Sequence, residues 1–326
     1  MNFYADSNYV HAKVYALHSL LLNKRNYYEI AKSRNFQSVV PELTDANIIY
    51  DYTFIKETLF DSQIKFVISM TKASAVYSDV FKYFLRYFEL LNLKFLYAKA
   101  LGLNPEPCIW YNTGDSAVLN RGKLFNNTDV STLLNYTRNT WMKDILLSKE
   151  TAMYKDIEFS IDRTIFFLAA RLSDSMNFSS GTDSAKIISA LAAFFRLSWS
   201  RRLQELYSWN KTEVMEYLDA NIPVAGSGRI TSAVEEWERY LSKQVRNKNA
   251  DISAGAGRII LTERIMEEVL LRSFIRNFHE NFHSINTVIC YLALLYRQIR
   301  NLFSIADGFR FGLDPDTIME NVLCEG

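Results

Sequence analysis

Glycine and proline are both scarce, at 11 and 5 in a chain of 326 residues. All-β folds spend many of each on turns, so the shortage excludes a strand-rich sandwich or barrel and favours long helices joined by few breaks. No run of alternating β-branched residues competes with that reading. Cysteine is sparse as well. The three present, Cys108, Cys290 and Cys324, are odd in number and widely spaced, which fits no disulfide framework and points to a reducing compartment. Neither sign of charge dominates: 37 Lys and Arg face 36 Asp and Glu, a net of +1. A nucleic-acid binder needs a basic domain or stripe, and the sequence has neither. Charged tails that would mark disordered arms are missing too.

Long apolar runs are also wanting. The best, Ser284 to Tyr296, is uncharged for 13 residues and ends at Arg297, whereas a membrane span needs about 20. It is expected to be a buried helix, and the chain to have no transmembrane segment of its own. No leader pattern opens the sequence. The Asn-x-Ser/Thr triplets at Asn126, Asn135, Asn177 and Asn210 are therefore expected to be chance matches rather than glycosylation sites.

What is plentiful is apolar and aromatic matter: 49% apolar residues, with 22 Phe and 19 Tyr, enough to fill wide inter-helix spaces. The length suggests two or three domains. Helical spacing of apolar residues predicts helices over 7–23, with Ser7 as a cap, and over 53–73, with a short one at Tyr27 to Ala31 between them. The clearest helix is 76–101. Phe81, Phe84, Leu85, Phe88, Leu91, Phe95 and Leu96 make its apolar face, opposed by Lys82, Arg86, Glu89 and Lys99. Further helices fit 129–148, 150–175, 183–208, 212–218, 229–246, 259–283 and 284–310, with a last one opened by Pro315.

Two segments run alike: LLNLKFLYAKALGLNPE (Leu90 to Glu106) and IRNLFSIADGFRFGLDPD (Ile299 to Asp316). Each is an apolar helix carrying Asn-Leu, a Gly-Leu stop at Gly102 or Gly312, then Asn or Asp, Pro105 or Pro315, and an acid. Glycine there supplies a left-handed stop and proline opens the next short helix. They lie about two hundred residues apart, which marks internal duplication. A third copy is expected near residue 207, where Phe194 to Leu218 shows a basic helix broken at Ser208-Trp209-Asn210 before a short acidic one. Three helical units follow: 1–115, 116–225 (degenerate) and 226–326.

Catalytic chemistry finds little purchase. His279 and His283 share a helix face and Glu280-x-x-His283 has di-iron spacing, but a di-iron bundle needs two such motifs plus two further glutamates, and zinc needs a third protein ligand. No Asp-Asp pair occurs, which removes an Asp-Asp-x-x-Asp magnesium site. The glycine stretches 225–229 and 253–258 do not match the phosphate-loop spacing, and no strand leads into them. Cys108 and Cys290, in apolar surroundings, read as inert thiols. No catalytic, cofactor or metal residue is assigned.

The repeats and the N-terminal segment YVHAKVYALHSLLLNKRNYYEIAKS (Tyr9 to Ser33) resemble the C subunit of V/A-type ATPases, whose eukaryotic counterpart is the d subunit. The family's opening helix and short Tyr-Glu helix are similar to that segment. Its central Asn-Leu-Lys to Gly-Leu motif is similar to Asn92-Leu93-Lys94 through Gly102-Leu103. Its closing Arg-Asn-Leu to Gly-Leu-x-Pro motif is similar to Arg300-Asn301-Leu302 through Pro315. Lys13 stands where arginine is usual, and Ala306-Asp307-Gly308 where an Arg-Gly-Lys run is typical. The resemblance implies three similar helical domains about a pseudo-threefold axis, forming a funnel. It also implies a non-catalytic part of the central stalk, at the cytoplasmic face of the membrane and peripheral to it. Members of the family couple the rotor shaft (the D and F subunits) to the proteolipid ring for proton or sodium transport. Candidate partner contacts are Lys94; Arg201, Arg202 and Arg300, which otherwise make a solvated helix face; and Trp110, Tyr111 and Trp209, which otherwise cap their own cores. The alternative role is a free-standing all-α scaffold that binds other proteins.

Overall fold

A computed structural model of the protein describes residues 3–43, 51–103, 109–115, 117–125, 129–142, 156–165, 183–221, 234–241, 243, 256–280 and 284–324. Its elements are α1 (Phe3–His18), α2 (Lys24–Ser33), α3 (Tyr52–Ala73), α4 (Ser78–Ala100), α5 (Arg121–Leu124) and α6 (Val130–Thr137). These are followed by α7 (Asp183–Tyr207), α8 (Lys211–Asn221), α9 (Ala256–Glu280), α10 (Ile285–Arg310) and α11 (Pro315–Glu320). Helical turns also occupy 156–165 and 234–241. The fold is all-α, with no strand among the described residues.

Polar side chains set the helix starts. Asn23 and Asn26 form a reciprocal capping box on α2, Asp51 accepts the Phe54 N–H at 2.9 Å to start α3, and Asp129 opens α6, each satisfying an otherwise orphaned N–H. Ser7, expected as a cap, lies inside α1, which begins at Phe3; its hydroxyl meets that of Tyr77 at 3.1 Å. The expected helix over 129–148 ends at Thr137.

The described chain divides into two compact units. The first comprises Met1–Ile161 and Phe278–Gly326. Its central element is α10, which packs against α1, α2, α3, α4 and α11. The uncharged stretch explains why: Val288, Cys290, Tyr291, Leu292 and Leu295 are all buried, as a core helix requires. No helix among the described residues is long and apolar enough to cross a membrane. One part of the core brings Phe36, Leu43, Ile55 and Leu59 onto Leu302, Ile305 and Ile318, so opposite ends of the chain close a single cluster. The second unit comprises Asp162–Asn277. There α7 packs on α8, and Ala193, Leu197, Trp237, Leu241, Ile265, Met266 and Leu270 form a core cluster.

Inside the first unit, Gly308 lets α11 lie close against α10. A Cβ at Gly308 would sit 2.4 Å from Cγ1 of the buried Ile318. Ala is the better helix former by about 1 kcal/mol, yet overpacking a rigid core costs about 1–3 kcal/mol. Gly308→Ala is therefore expected to lower stability by about 1 kcal/mol, read as a fall in the urea midpoint with an unchanged m-value.

Candidate partner surface and its repeated frame

Three helix stops at the repeat positions share one backbone feature, which Arg34 after α2 also has (φ +52°). Gly102, Ser208 and Gly312 carry φ of +75, +58 and +67°, a region that L-residues other than Asn and Asp rarely enter. At the first, the Gly102 N–H donates to the Lys99 carbonyl (2.9 Å) and the Leu103 N–H to that of Ala98 (3.0 Å). At the last, Gly312 donates to Phe309 (3.1 Å) and Leu313 to Gly308 (2.9 Å). Both are Schellman closures, which satisfy the final carbonyls of a helix. The middle stop differs in detail, with the Trp209 N–H reaching back to the Leu203 carbonyl at 3.1 Å.

A helix start follows two of these stops. Asp314 accepts the Asp316 and Thr317 N–H groups ahead of Pro315, the first residue of α11. Asn210 accepts the Glu213 N–H at 2.9 Å while Glu213 accepts the Asn210 N–H at 2.8 Å. Pro105 lies outside the described residues.

The Asn-Leu signature proves to be a clasp. The Asn92 Nδ2 donates to the Tyr111 carbonyl at 2.8 Å, and its Oδ1 accepts the Tyr111 N–H at 2.9 Å. Asn301 holds Leu323 in the same way, at 2.7 and 3.0 Å. One carboxamide thus satisfies both backbone groups of a residue that belongs to no helix. Five residues before each asparagine stand Tyr87 and Tyr296, whose hydroxyls meet at 2.8 Å. In the second unit Ser198 stands ten residues before Ser208, as Asn92 does before Gly102. The Ser198 hydroxyl is buried and has no hydrogen-bond partner among the described residues.

Two more side chains tie down the segment that Asn92 clasps. Glu57 accepts the Trp110 N–H at 2.9 Å, and Glu89 accepts the N–H groups of Val118 and of Leu119 (2.9 Å for the latter). Glu89 corrects its expected place on the solvent face of α4: it is only 3% exposed. Burial raises its pKa above the usual carboxylate range, opposed by the two backbone N–H groups and by Arg86.

Each candidate contact residue has a defined place. Trp110 is buried with its ring edge toward Phe125, and Tyr111 packs between Phe60 and Phe88, so both side chains serve the first unit's core. Burial raises the Tyr111 phenol above its ordinary pKa. Trp209 is half-buried with its ring 5.1 Å from that of Tyr217. Lys94 pairs with Glu158 at 2.8 Å, Arg201 donates to the Thr262 hydroxyl at 3.1 Å, and Arg202 pairs with Glu263 at 3.2 Å. Arg300 is exposed, its guanidinium 3.4 Å from the Tyr296 hydroxyl.

Large exposed apolar side chains gather at the stops, which spacing marks only as turns: Leu101 and Leu103 at the first, Leu206 and Tyr207 at the second, and Phe311, 70% exposed, at the last.

Among the described residues no group of three or more potential ligands gathers that could hold a metal. His279 instead lies edge-on to His18, which stacks on Phe278 at 3.8 Å; His283 is outside the described residues. Burial, then His279, lowers the His18 pKa. Burial pushes the Cys290 thiol up to about 12, in keeping with an inert thiol. Of the glycine stretches, 225–229 lies outside the described residues, and Ala256-Gly257-Arg258 opens α9.

The fold defines an all-helical protein whose repeated features are structural turns and clasps with apolar tips. The profile of the ATP synthase (C/AC39) subunit family matches residues 10–321, and the chain belongs to that family, whose members are accessory rather than catalytic parts of the ATPase. No curated protein matches the chain.

Proposed function

We propose that this chain is the central-stalk adaptor of a V/A-type ATPase, coupling the rotor shaft of the D and F subunits to the membrane proteolipid ring. It has no catalytic role, and works as a peripheral part of the complex on the cytoplasmic face. The single observation that carries the reading is the family match over residues 10–321. The repeated frame supports it. Left-handed stops recur at residues 102, 208 and 312, which favours three units at 1–115, 116–225 and 226–326 arranged about a pseudo-threefold axis. A rotor coupler must resist twisting, and long helices whose connecting segments are clasped by buried side chains suit that task. It must also contact two partners, and the exposed apolar tips suit that.

The test is co-reconstitution of the purified chain with the two shaft proteins and, separately, with the ring. Association with both is expected. Binding to neither overturns the proposal and leaves a free-standing scaffold as the role. Phe311→Asp is expected to weaken capture by one of the two partners by at least about tenfold, the scale of losing an interface hot spot, while the urea midpoint stays at the wild-type value, since the ring is exposed.

A further inference from the structure

The two glycine stops of the first unit lie side by side. α3 runs antiparallel to α10: the Lys56 ammonium donates to the Asp307 carboxylate at 2.9 Å, while Gln63, further along α3, meets Gln298, which comes earlier on α10. α3 runs antiparallel to α4 as well, with Phe60 beside Phe88 (4.7 Å between ring centres) and Phe66 beside Phe81 (6.2 Å). α4 and α10 are therefore parallel. The hydroxyls of Tyr87 and Tyr296 meet at 2.8 Å, and these tyrosines stand fifteen and sixteen residues before Gly102 and Gly312. Closer to the stops Tyr111 bridges the two helices, clasped by Asn92 and with its ring 6.3 Å from that of Phe303. The stops thus share one level and are separated by one interhelix spacing, about 8–10 Å.

The first turn of α3 reaches the same level, because Lys56 meets Asp307. One end of the unit therefore gathers Phe54, Leu101, Leu103 and Phe311, which are 45, 41, 45 and 70% exposed. Single exposed apolar residues are ordinary on a surface, whereas a contiguous group marks an interaction site. The exposed charges that the described residues place at this end cancel, with Arg34, Lys99 and Arg310 against Asp51, Asp314 and Asp316. Anionic lipid and nucleic acid call for a cationic excess, which these residues do not supply. We infer that the four apolar side chains form a single docking face, taken by one protein partner whose uncharged apolar surface spans both stops. The inference rests on the rotor reading, and adds to it that the first and third stops engage the same partner rather than one each.

The face is set before any partner arrives. Both stops are closed by backbone hydrogen bonds, from the Leu103 N–H to the Ala98 carbonyl and from the Leu313 N–H to that of Gly308. The Arg310 guanidinium lies 5.0 Å from the centre of the Tyr52 ring and 5.9 Å from that of Phe311, which braces the most exposed tip against α3. Contact side chains carried on a fixed backbone lose less freedom on binding. A face without net charge also leaves salt little to screen, so its affinity depends on buried apolar area.

Capture of the full chain by the shaft proteins and by the ring, measured separately, tests this. Leu101→Asp with Leu103→Asp, and Phe311→Asp alone, are each expected to weaken capture by the same partner at least about tenfold, the scale of losing an interface hot spot. Capture by the other partner is expected to stay unchanged. Raising sodium chloride from about 0.05 to 0.5 M is expected to weaken wild-type capture by less than threefold. If the paired aspartates prevent folding, Leu101→Gln with Leu103→Gln takes their place with the same expectation. Variants that lose different partners, or neither, overturn the inference, and so does a larger salt effect. Binding to phosphatidylserine or phosphatidylcholine vesicles, or self-association, that the same substitutions abolish would give the face to lipid or to a second copy and overturn it too. A wild-type chain captured by neither partner defeats the rotor reading and the inference with it, whereas the other adverse outcomes strike the inference alone.

Discussion

Replacing Asn301 with leucine is expected to destabilise the protein by about 2–5 kcal/mol, because two buried backbone groups lose their partner at once and each unsatisfied group costs about 1–3 kcal/mol. Asn301 is 2% exposed, and both bonds of its clasp on Leu323 are buried. Leucine has the same branched outline but is larger, so no cavity forms and overpacking adds to the lost hydrogen bonds. Aspartate at 301 tests the assignment further. It can accept the Leu323 N–H, but when ionised it offers nothing to the carbonyl and buries a charge, so Asn301→Asp is expected to fare no better at neutral pH. Urea unfolding of the three proteins measures this, with Asn92→Leu as the matching experiment on the Tyr111 clasp. If both leucine variants keep the wild-type midpoint, the clasps are incidental to stability.

Glu89 makes the second large prediction, and glutamine separates its two roles. Its carboxylate accepts the Val118 and Leu119 N–H groups inside the first unit. Glu89→Leu strands both donors and is expected to cost about 2–4 kcal/mol. Glu89→Gln keeps an acceptor oxygen and removes the charge. The folded carboxyl has a raised pKa, chiefly through burial. Its stabilising contribution is therefore present below the unfolded value and is lost as pH rises through the folded one. Above the folded pKa the wild type carries the whole penalty of a buried charge, so the glutamine variant is expected there to equal or exceed it in stability, and to lose that advantage in acid. A glutamine variant as damaged as the leucine one would show that the negative charge, not the acceptor, holds the 118–119 segment.

These two residues show where reading the sequence stops. The Asn-Leu repeat is visible at 92 and 301, but the spacing presents it as a helix signature, not as a grip on Tyr111 and Leu323. Glu89 falls on the polar side of a helical projection of α4, opposite Phe81, Phe84 and Phe88. Helical spacing assigns one wet face, whereas α4 is buried at Leu90, Leu93 and Tyr97 as well as at Phe81, Leu85 and Phe88. Trp110 and Tyr111 lie in a loop rich in proline and glycine and read either as contact residues or, with somewhat more weight, as core caps; their rings lie in the first unit's core. The exposed tips Leu101, Leu206 and Phe311 carry no sequence signal beyond lying beside the stops. Lys56–Asp307 leaves no trace in the sequence, since its partners are separated by 251 positions.

The sequence by itself determined the helical class, the positions of most helices and the left-handed stops at Gly102 and Gly312. All of these depend on interactions within one or two turns: backbone hydrogen bonding, the steric cost of a Cβ at positive φ, and the missing N–H of proline. Even the worn middle stop at Ser208 is legible from its distance to the other two. Only the tertiary structure decided which polar residues are dry, which asparagines clasp and which apolar side chains stay in water. Desolvation is set by whatever packs on a side chain, and here that is often a segment far away along the chain.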